Sequence, residues 1–176
     1  NKGRINWFIN MKDSFDKNYG DIFFSNPLAI SGNKIVVSTD PYLYILNSDS
    51  GSTVSKISIS SIFKPILTKN NIFLITKDNL LVCLDFNSGK VIYSLNIGEE
   101  IANYLDDKKR SINVKYFSIL NGNLFVFLSN SYLVEFSITG KIVSVGKLPK
   151  KIKSLPIFAE NTIIYTNKKN QLIISN

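Results

Sequence analysis

A chain of 176 residues, 44% hydrophobic and 19% charged, carries enough apolar material for one domain or at most two, and we read one. Its longest apolar runs are strand-sized, far below the roughly 18 residues that span a bilayer, which excludes a membrane-spanning helix. The net charge of +8 invites an anionic partner, yet Arg4 and Arg110 are its two arginines and the lysines are scattered through turns without a stripe, which argues against nucleic acid.

One cysteine and no histidine exclude an internal disulfide and the usual zinc sets. Cys83 sits in the apolar run Leu80-Leu81-Val82-Cys83-Leu84, where it reads as a small buried hydrophobe, not a reactive thiol. The chain opens on Asn1 with no basic and apolar leader, so any export signal or lipid anchor is expected upstream.

In chain order, the first expected element is an outer strand over 3–9. A long connection, Asn10 to Phe24, follows and carries Met11, Phe15 and Tyr19. Four similar units come next, over about 25–59, 61–97, 112–148 and 152–176. They align on Pro27, Pro65, Phe117 and Pro156, and nineteen positions later come Leu46, Leu84, Phe136 and Ser175, three of them large and apolar in one register. In the second unit, strands are expected at Pro65 to Thr68, Ile72 to Thr76, Leu80 to Leu84 and Lys90 to Leu95, separated by Asn, Asp, Ser and Gly turns. Four short strands in roughly 35 residues, with no crossover helix, predict an antiparallel sheet repeated along the chain. That is an all-β architecture, a β-propeller of four-stranded blades, with about four blades present and possible membership of a larger ring of seven or eight. A second long connection, Gly98 to Ser111, holds Ile101, Tyr104, Leu105, Lys108, Lys109 and Arg110; within it Glu99 to Lys109 predicts a helical turn or two, acids leading and bases trailing.

The last turn of each unit is the most specific signal. Cys83-Leu84-Asp85-Phe86-Asn87-Ser88-Gly89, with Tyr93 four residues on, resembles the PQQ-like repeat, whose pattern runs Ala-x-Asp-x-x-Thr-Gly-x-x-x-Trp. Gly51 and Gly140 occupy the glycine of the first and third units, with Ser55 and Ser144 in the aromatic position. Gly3 and Trp7 repeat the tail of the motif at the start of the chain. These residues, Gly3, Trp7, Gly51, Asp85, Gly89, Tyr93 and Gly140, are read as structural: the glycine takes a positive φ, the short polar side chain bonds the turn, and the aromatic packs on the neighbouring blade.

The resemblance is to the PQQ-like repeat propellers, quinoprotein-like proteins, and is nearest in character to the outer-membrane assembly lipoproteins, which are scaffolds. It implies a non-catalytic protein-binding propeller, at the periplasm or the outer-membrane periphery. Quinone-dependent dehydrogenases on this repeat need adjacent cysteines, a catalytic Asp and Ca²⁺; one cysteine forbids the pair, and Asp21 and Asp85 have no evident acidic partners. No catalytic, cofactor or metal residue is therefore assigned. The partner-binding candidates are Met11, Phe15, Tyr19, Ile101, Tyr104, Leu105, Lys108, Lys109 and Arg110, because both long connections rise at one end of the blades. Two other readings stay open: a fragment of a dehydrogenase-like protein, and a carbohydrate-binding propeller using Tyr42, Tyr104 and Tyr132. The strand over 3–9 is expected to complete the unit ending at Leu172 to Ser175, within one chain or between two, and self-association through the terminal blades follows from that.

Overall fold

A computed structural model describes residues 3–11, 27–108, 111–159 and 162–175. The first sheet contains β1 (Ala29–Ser31), β2 (Lys34–Ser38), β3 (Leu43–Asn47) and β4 (Thr53–Ile57). The second contains β5 (Ile66–Leu67), β6 (Asn71–Ile75), β7 (Leu80–Asp85) and β8 (Val91–Asn96). The helix α1 (Ile97–Leu105) precedes a third sheet of β9 (Val114–Leu120), β10 (Asn123–Leu128), β11 (Tyr132–Ser137) and β12 (Ile142–Lys147). The fourth has three strands, β13 (Ile157–Ala159), β14 (Thr162–Thr166) and β15 (Leu172–Ser175). In each sheet the strands lie in sequence order as a meander, with every registered pair antiparallel.

The burial pattern explains why the hydropathy does not simply alternate. Leu43–Leu46 in β3 and Leu81–Leu84 in β7 are buried without interruption, so both faces of these middle strands are covered. The outermost strands β4 and β8 are mostly exposed. The nineteen-residue register has a physical basis: Leu46, Leu84 and Phe136 are all fully buried.

The chain divides into two compact units, residues 1–77 with 82–93 and residues 78–81 with 94–176. In the first, Val37, Tyr44 and Leu46 form a core on which Met11, Ile35 and Tyr42 pack. The Ser38 hydroxyl accepts from the Ser61 amide at 2.7 Å, fastening the first sheet to the entry of the second. The Lys34 ammonium donates to the Phe86 carbonyl (3.0 Å) and to Asn87 Oδ1 (3.1 Å) and stands 4.9 Å from the Phe86 ring centre. In the second unit Phe127, Leu148, Ile152 and Tyr165 form the core, with Phe125, Phe158, Ile163 and Ile173 against it.

Residues 3–10 form no strand, where an outer strand over 3–9 is expected from the sequence. A side chain holds this segment instead of a backbone ladder. The Trp7 indole N–H donates to the Ser48 carbonyl at 2.8 Å, and the ring lies on Gly51. Within its own sheet β15 pairs with β14 alone.

Candidate functional site

The turn motif comes first because it accounts for the residues that look most like a site. Asp85 Oδ1 accepts from the amides of Asn87 (3.2 Å) and Ser88 (2.7 Å) and from the Ser88 hydroxyl (2.7 Å). These bonds, with a smaller pull from Lys34, hold the Asp85 carboxyl below its ordinary value. Asn47 does the same work in the first sheet, accepting from Asp49 and Ser50 at 2.9 Å. Gly51, Gly89 and Gly140 close the turns with φ of +72°, +70° and +86°, donating to Asn47, Asp85 and Ser137 carbonyls at 2.9 Å. All of this is backbone satisfaction, and it leaves Asp85 occupied by its own turn.

The glycines also serve as contact points. A Cβ on Gly51 would lie 2.5 Å from Trp7 Cε3, and one on Gly89 would lie 2.8 Å from Ser55 Oγ and 3.0 Å from Ile57 Cδ1. The residue four positions after one motif glycine thus rests on the glycine of the next repeat, whether it is Trp or Ser. Gly3 differs: its φ is not positive and nothing lies within 4 Å of its Cβ direction, so it acts as neither turn nor socket. Tyr93 is half-buried, and burial raises its phenol pKa, the nearby Cys83 adding to the effect. Cys83 is 1% exposed; burial, then Asp85, pushes its thiol to about 11.

The partner-binding candidates separate into three groups. Met11 is half-buried against Val37, Tyr44 and Leu46, so its side chain serves the core. Phe15, Tyr19, Lys109 and Arg110 lie outside the described residues. Ile101, Tyr104, Leu105 and Lys108 belong to one feature.

That feature is α1. Asn96 caps it, its Oδ1 accepting from the Glu99 amide at 3.1 Å, and Glu99 and Glu100 fill the first turn, where the helix dipole favours acids. Asp106, with φ 50°, ends the helix in the left-handed region, and the Asp107 amide donates to the Ala102 carbonyl at 3.0 Å. The helix therefore stops before Lys108, and the basic residues expected in its last turn fall beyond it. Its start is pinned by the Ile97 amide, which donates to the Asn79 carbonyl (3.1 Å), while Asn79 Nδ2 donates to the Ile112 carbonyl (3.4 Å).

Between α1 and the third sheet lies a cleft of about 100 Å³. Ile101, Ala102 and Leu105 form one wall, and Leu128, Asn130 and Tyr132 the other; Asp107 and Lys108 stand at its rim. Leu105 is 44% exposed and Tyr104 50%, the Tyr104 hydroxyl donating to the Val143 carbonyl at 3.5 Å. The wall from β11 was missed as part of this site by sequence reasoning, which saw Tyr132 as a surface aromatic in another context. Of the three tyrosines in the carbohydrate reading, Tyr132 lines this cleft and Tyr104 lies on α1. Tyr42 is engaged elsewhere, the Lys56 ammonium standing 3.9 Å from its ring centre. Among the described residues no three His, Cys, Asp or Glu side chains group as metal ligands, and no helix is long and apolar enough to cross a membrane.

No protein-family model and no curated protein sequence matches this chain. Solved structures do match. BamB from Moraxella catarrhalis superposes with a TM-score of 0.63 at 16% identity, over 88% of this chain and 47% of that one. The computationally designed Ika8 protein matches with 0.63 at 13% identity, over 85% and 45%. The computationally designed Ika4 protein gives 0.65 at 13% identity, over 89% and 92%. This chain therefore spans about half the length of BamB and of Ika8. At these identities the likeness carries the fold, an all-β propeller, and the sheets described above are its blades.

Proposed function

We propose that this chain is a non-catalytic propeller scaffold that binds another protein, and that the α1 side of the third blade is the docking surface. The observation that carries the reading is the cleft: a capped helix packed beside the third blade holds partly exposed apolar side chains next to Tyr132. Loops displayed by a rigid β scaffold are a common place for recognition, and aromatic and aliphatic anchors dominate such contacts. The turn chemistry supports the non-catalytic part, since Asp85 and Cys83 are each accounted for by structure. An envelope setting, in outer-membrane protein assembly, is the finer form of the proposal and rests on the resemblance to assembly lipoproteins together with the BamB-like fold.

The test is site-specific photo-cross-linking in the source cells, with a benzophenone side chain at Tyr104 and, as a control, at the exposed Val54 of β4. The expected result is a discrete protein adduct from position 104, absent from position 54 and lost when Leu105→Asp is added. Equal, diffuse labelling from both positions overturns the reading.

A further inference from the structure

Charge is uneven along this chain and more so in the fold. Residues 111–176 hold eight lysines and two acids, Glu135 and Glu160. Glu135 is taken up within the third sheet, accepting from Asn123 Nδ2 at 2.7 Å and from the Ser144 hydroxyl at 2.8 Å. Six of the lysines stand at one end of the third and fourth sheets, the end that also carries α1 and its cleft.

The meander order fixes that placement. In each blade the turn between second and third strands and the connection from blade to blade lie at the same end. That end holds α1, the turn 129–131, the run 148–156 that follows β12, and the turn 167–171 between β14 and β15. The path starts at the wall of the cleft. Tyr132, which lines it, pairs with Lys147 across β11 and β12, and the Lys147 ammonium stands 5.9 Å from its ring centre. The Leu148 amide donates to the Ser131 carbonyl at 2.8 Å. Lys150 is two residues further, at most about 7 Å of extended chain, and its carbonyl accepts from the Tyr165 hydroxyl at 3.0 Å. The Lys153 amide donates to the Thr166 carbonyl at 2.8 Å, and the Ile152–Asn167 bridge brings Lys168 and Lys169 to the same end.

Lys147, Lys150, Lys151, Lys153, Lys168 and Lys169 are all exposed, and Lys153 Nζ donates to Asn170 Oδ1 at 2.7 Å. No acid occurs in 136–159 or 162–175, so this ledge of lysines carries no opposing charge of its own. The acids of this end, Glu99, Glu100, Asp106 and Asp107, belong to the helix side. The ledge is built from connections at the ends of the sheets, so a neighbouring blade, which stacks on a sheet face, would not cover it.

On the reading of the α1 cleft as a docking surface, on which this inference rests, we propose that what docks there is an acidic protein segment. An aliphatic side chain of the partner enters the cleft, and Asp and Glu residues beside it run along the lysine ledge, away from the helix. The recess of about 100 Å³ between Ile101, Leu105 and Leu128 suits an inserted side chain. A lipid surface would need apolar atoms that stand proud of the protein, and here they are recessed. A nucleic-acid strand has no aliphatic side chain for the recess, and the ledge offers lysine without the arginine or exposed rings that hold phosphates and bases. A protein segment carries both kinds of group, and its charge selects it during approach.

The experiment is selection of random 12-residue peptides, displayed on phage, against the full chain at 0.1 M NaCl, with the enriched peptides then measured by fluorescence anisotropy. Peptides with one or two aliphatic residues beside a run of Asp and Glu are expected. Each exposed lysine–carboxylate contact contributes about threefold, so Lys150→Gln with Lys151→Gln should weaken binding about tenfold, and 0.5 M NaCl should weaken it as well. Leu105→Ser, which alters the cleft without changing charge, should abolish binding with circular dichroism unchanged, and Lys141→Gln, at the opposite end of β12, should leave it as it is. Enriched peptides that need Leu105 but are neutral or basic, or that ignore the lysine changes, overturn the acidic partner and leave the docking surface standing. No enrichment, or peptides indifferent to Leu105→Ser, overturns the docking surface and this proposal with it. Tighter binding of phosphatidylglycerol vesicles or of a single-stranded oligonucleotide than of the peptides, at matched negative charge, also overturns the proposal.

Discussion

Gly51 and Gly32 share a backbone need and differ in what stands above them, which makes them a controlled pair. Both have positive φ, +72° and +57°, so alanine at either costs about 1 kcal/mol in backbone strain. Nothing lies within 4 Å of a Cβ on Gly32, whereas one on Gly51 would strike the Trp7 ring. Gly51→Ala is therefore expected to cost roughly 2–4 kcal/mol, against about 1 for Gly32→Ala. Because Trp7 is the one tryptophan of the chain, its emission should shift to the red in Gly51→Ala alone. Urea unfolding followed by fluorescence checks both points; equal losses with unchanged emission would mean that the indole does not rest on this glycine.

At the scale of elements, α1 depends on its surroundings. Nine residues are too few to be helical alone, so the helix relies on its cap and on its packing beside β12. Asn96→Ala should cost about 1 kcal/mol, appearing as faster amide exchange across 97–105 while the strands of the third blade keep their protection. The leading acids of the helix and the strands of the four sheets were legible because each turn announces itself: Asn, Asp, Ser and Gly stand where a backbone amide or a positive φ must be served, as at Asp85 and Gly89. The packing of the N-terminal segment was not legible. The fate of residues 3–9 depends on the Trp7 ring finding Gly51, more than forty positions away, which no local pattern records. The cleft was half legible: Ile101 and Leu105 were visible as apolar residues in a long connection, while Leu128 was not singled out and Tyr132 was read as an aromatic of a different site.

For the whole molecule, two buried acids are expected to weaken the fold at alkaline pH. Folding raises the Cys83 thiol from 9.0 to about 11 and raises the Tyr93 phenol as well. Above pH 9 the unfolded chain releases the thiol proton while the folded chain keeps it, so the unfolded state gains and stability falls until the folded thiol ionises near pH 11. The thiol alone accounts for roughly 2 kcal/mol of that fall, and stability should be nearly level from pH 7 to 9. Denaturant titrations at pH 8 and 11 on the parent and on Cys83→Ala check this: the variant should lose less over that interval, and an identical loss would assign the effect to other groups.

The contacts of Trp7 with Gly51 and of Ser55 with Gly89 give the chain a polarity. Trp7 and Ser55 are plugs, each resting on the glycine socket of the following repeat, and the first repeat carries both, its socket Gly51 standing four residues before its plug Ser55. A duplicated unit of about 35 residues brings one of each, so it can be spliced between two existing units without leaving a plug unhoused or a socket bare. Changes in repeat number are then cheaper than changes of a single socket, and a lineage can lengthen or shorten such a protein while the junction stays the same. At both sockets, Gly51 and Gly89, a Cβ would strike the plug, whereas the plug itself differs, an indole at Trp7 and a hydroxyl at Ser55.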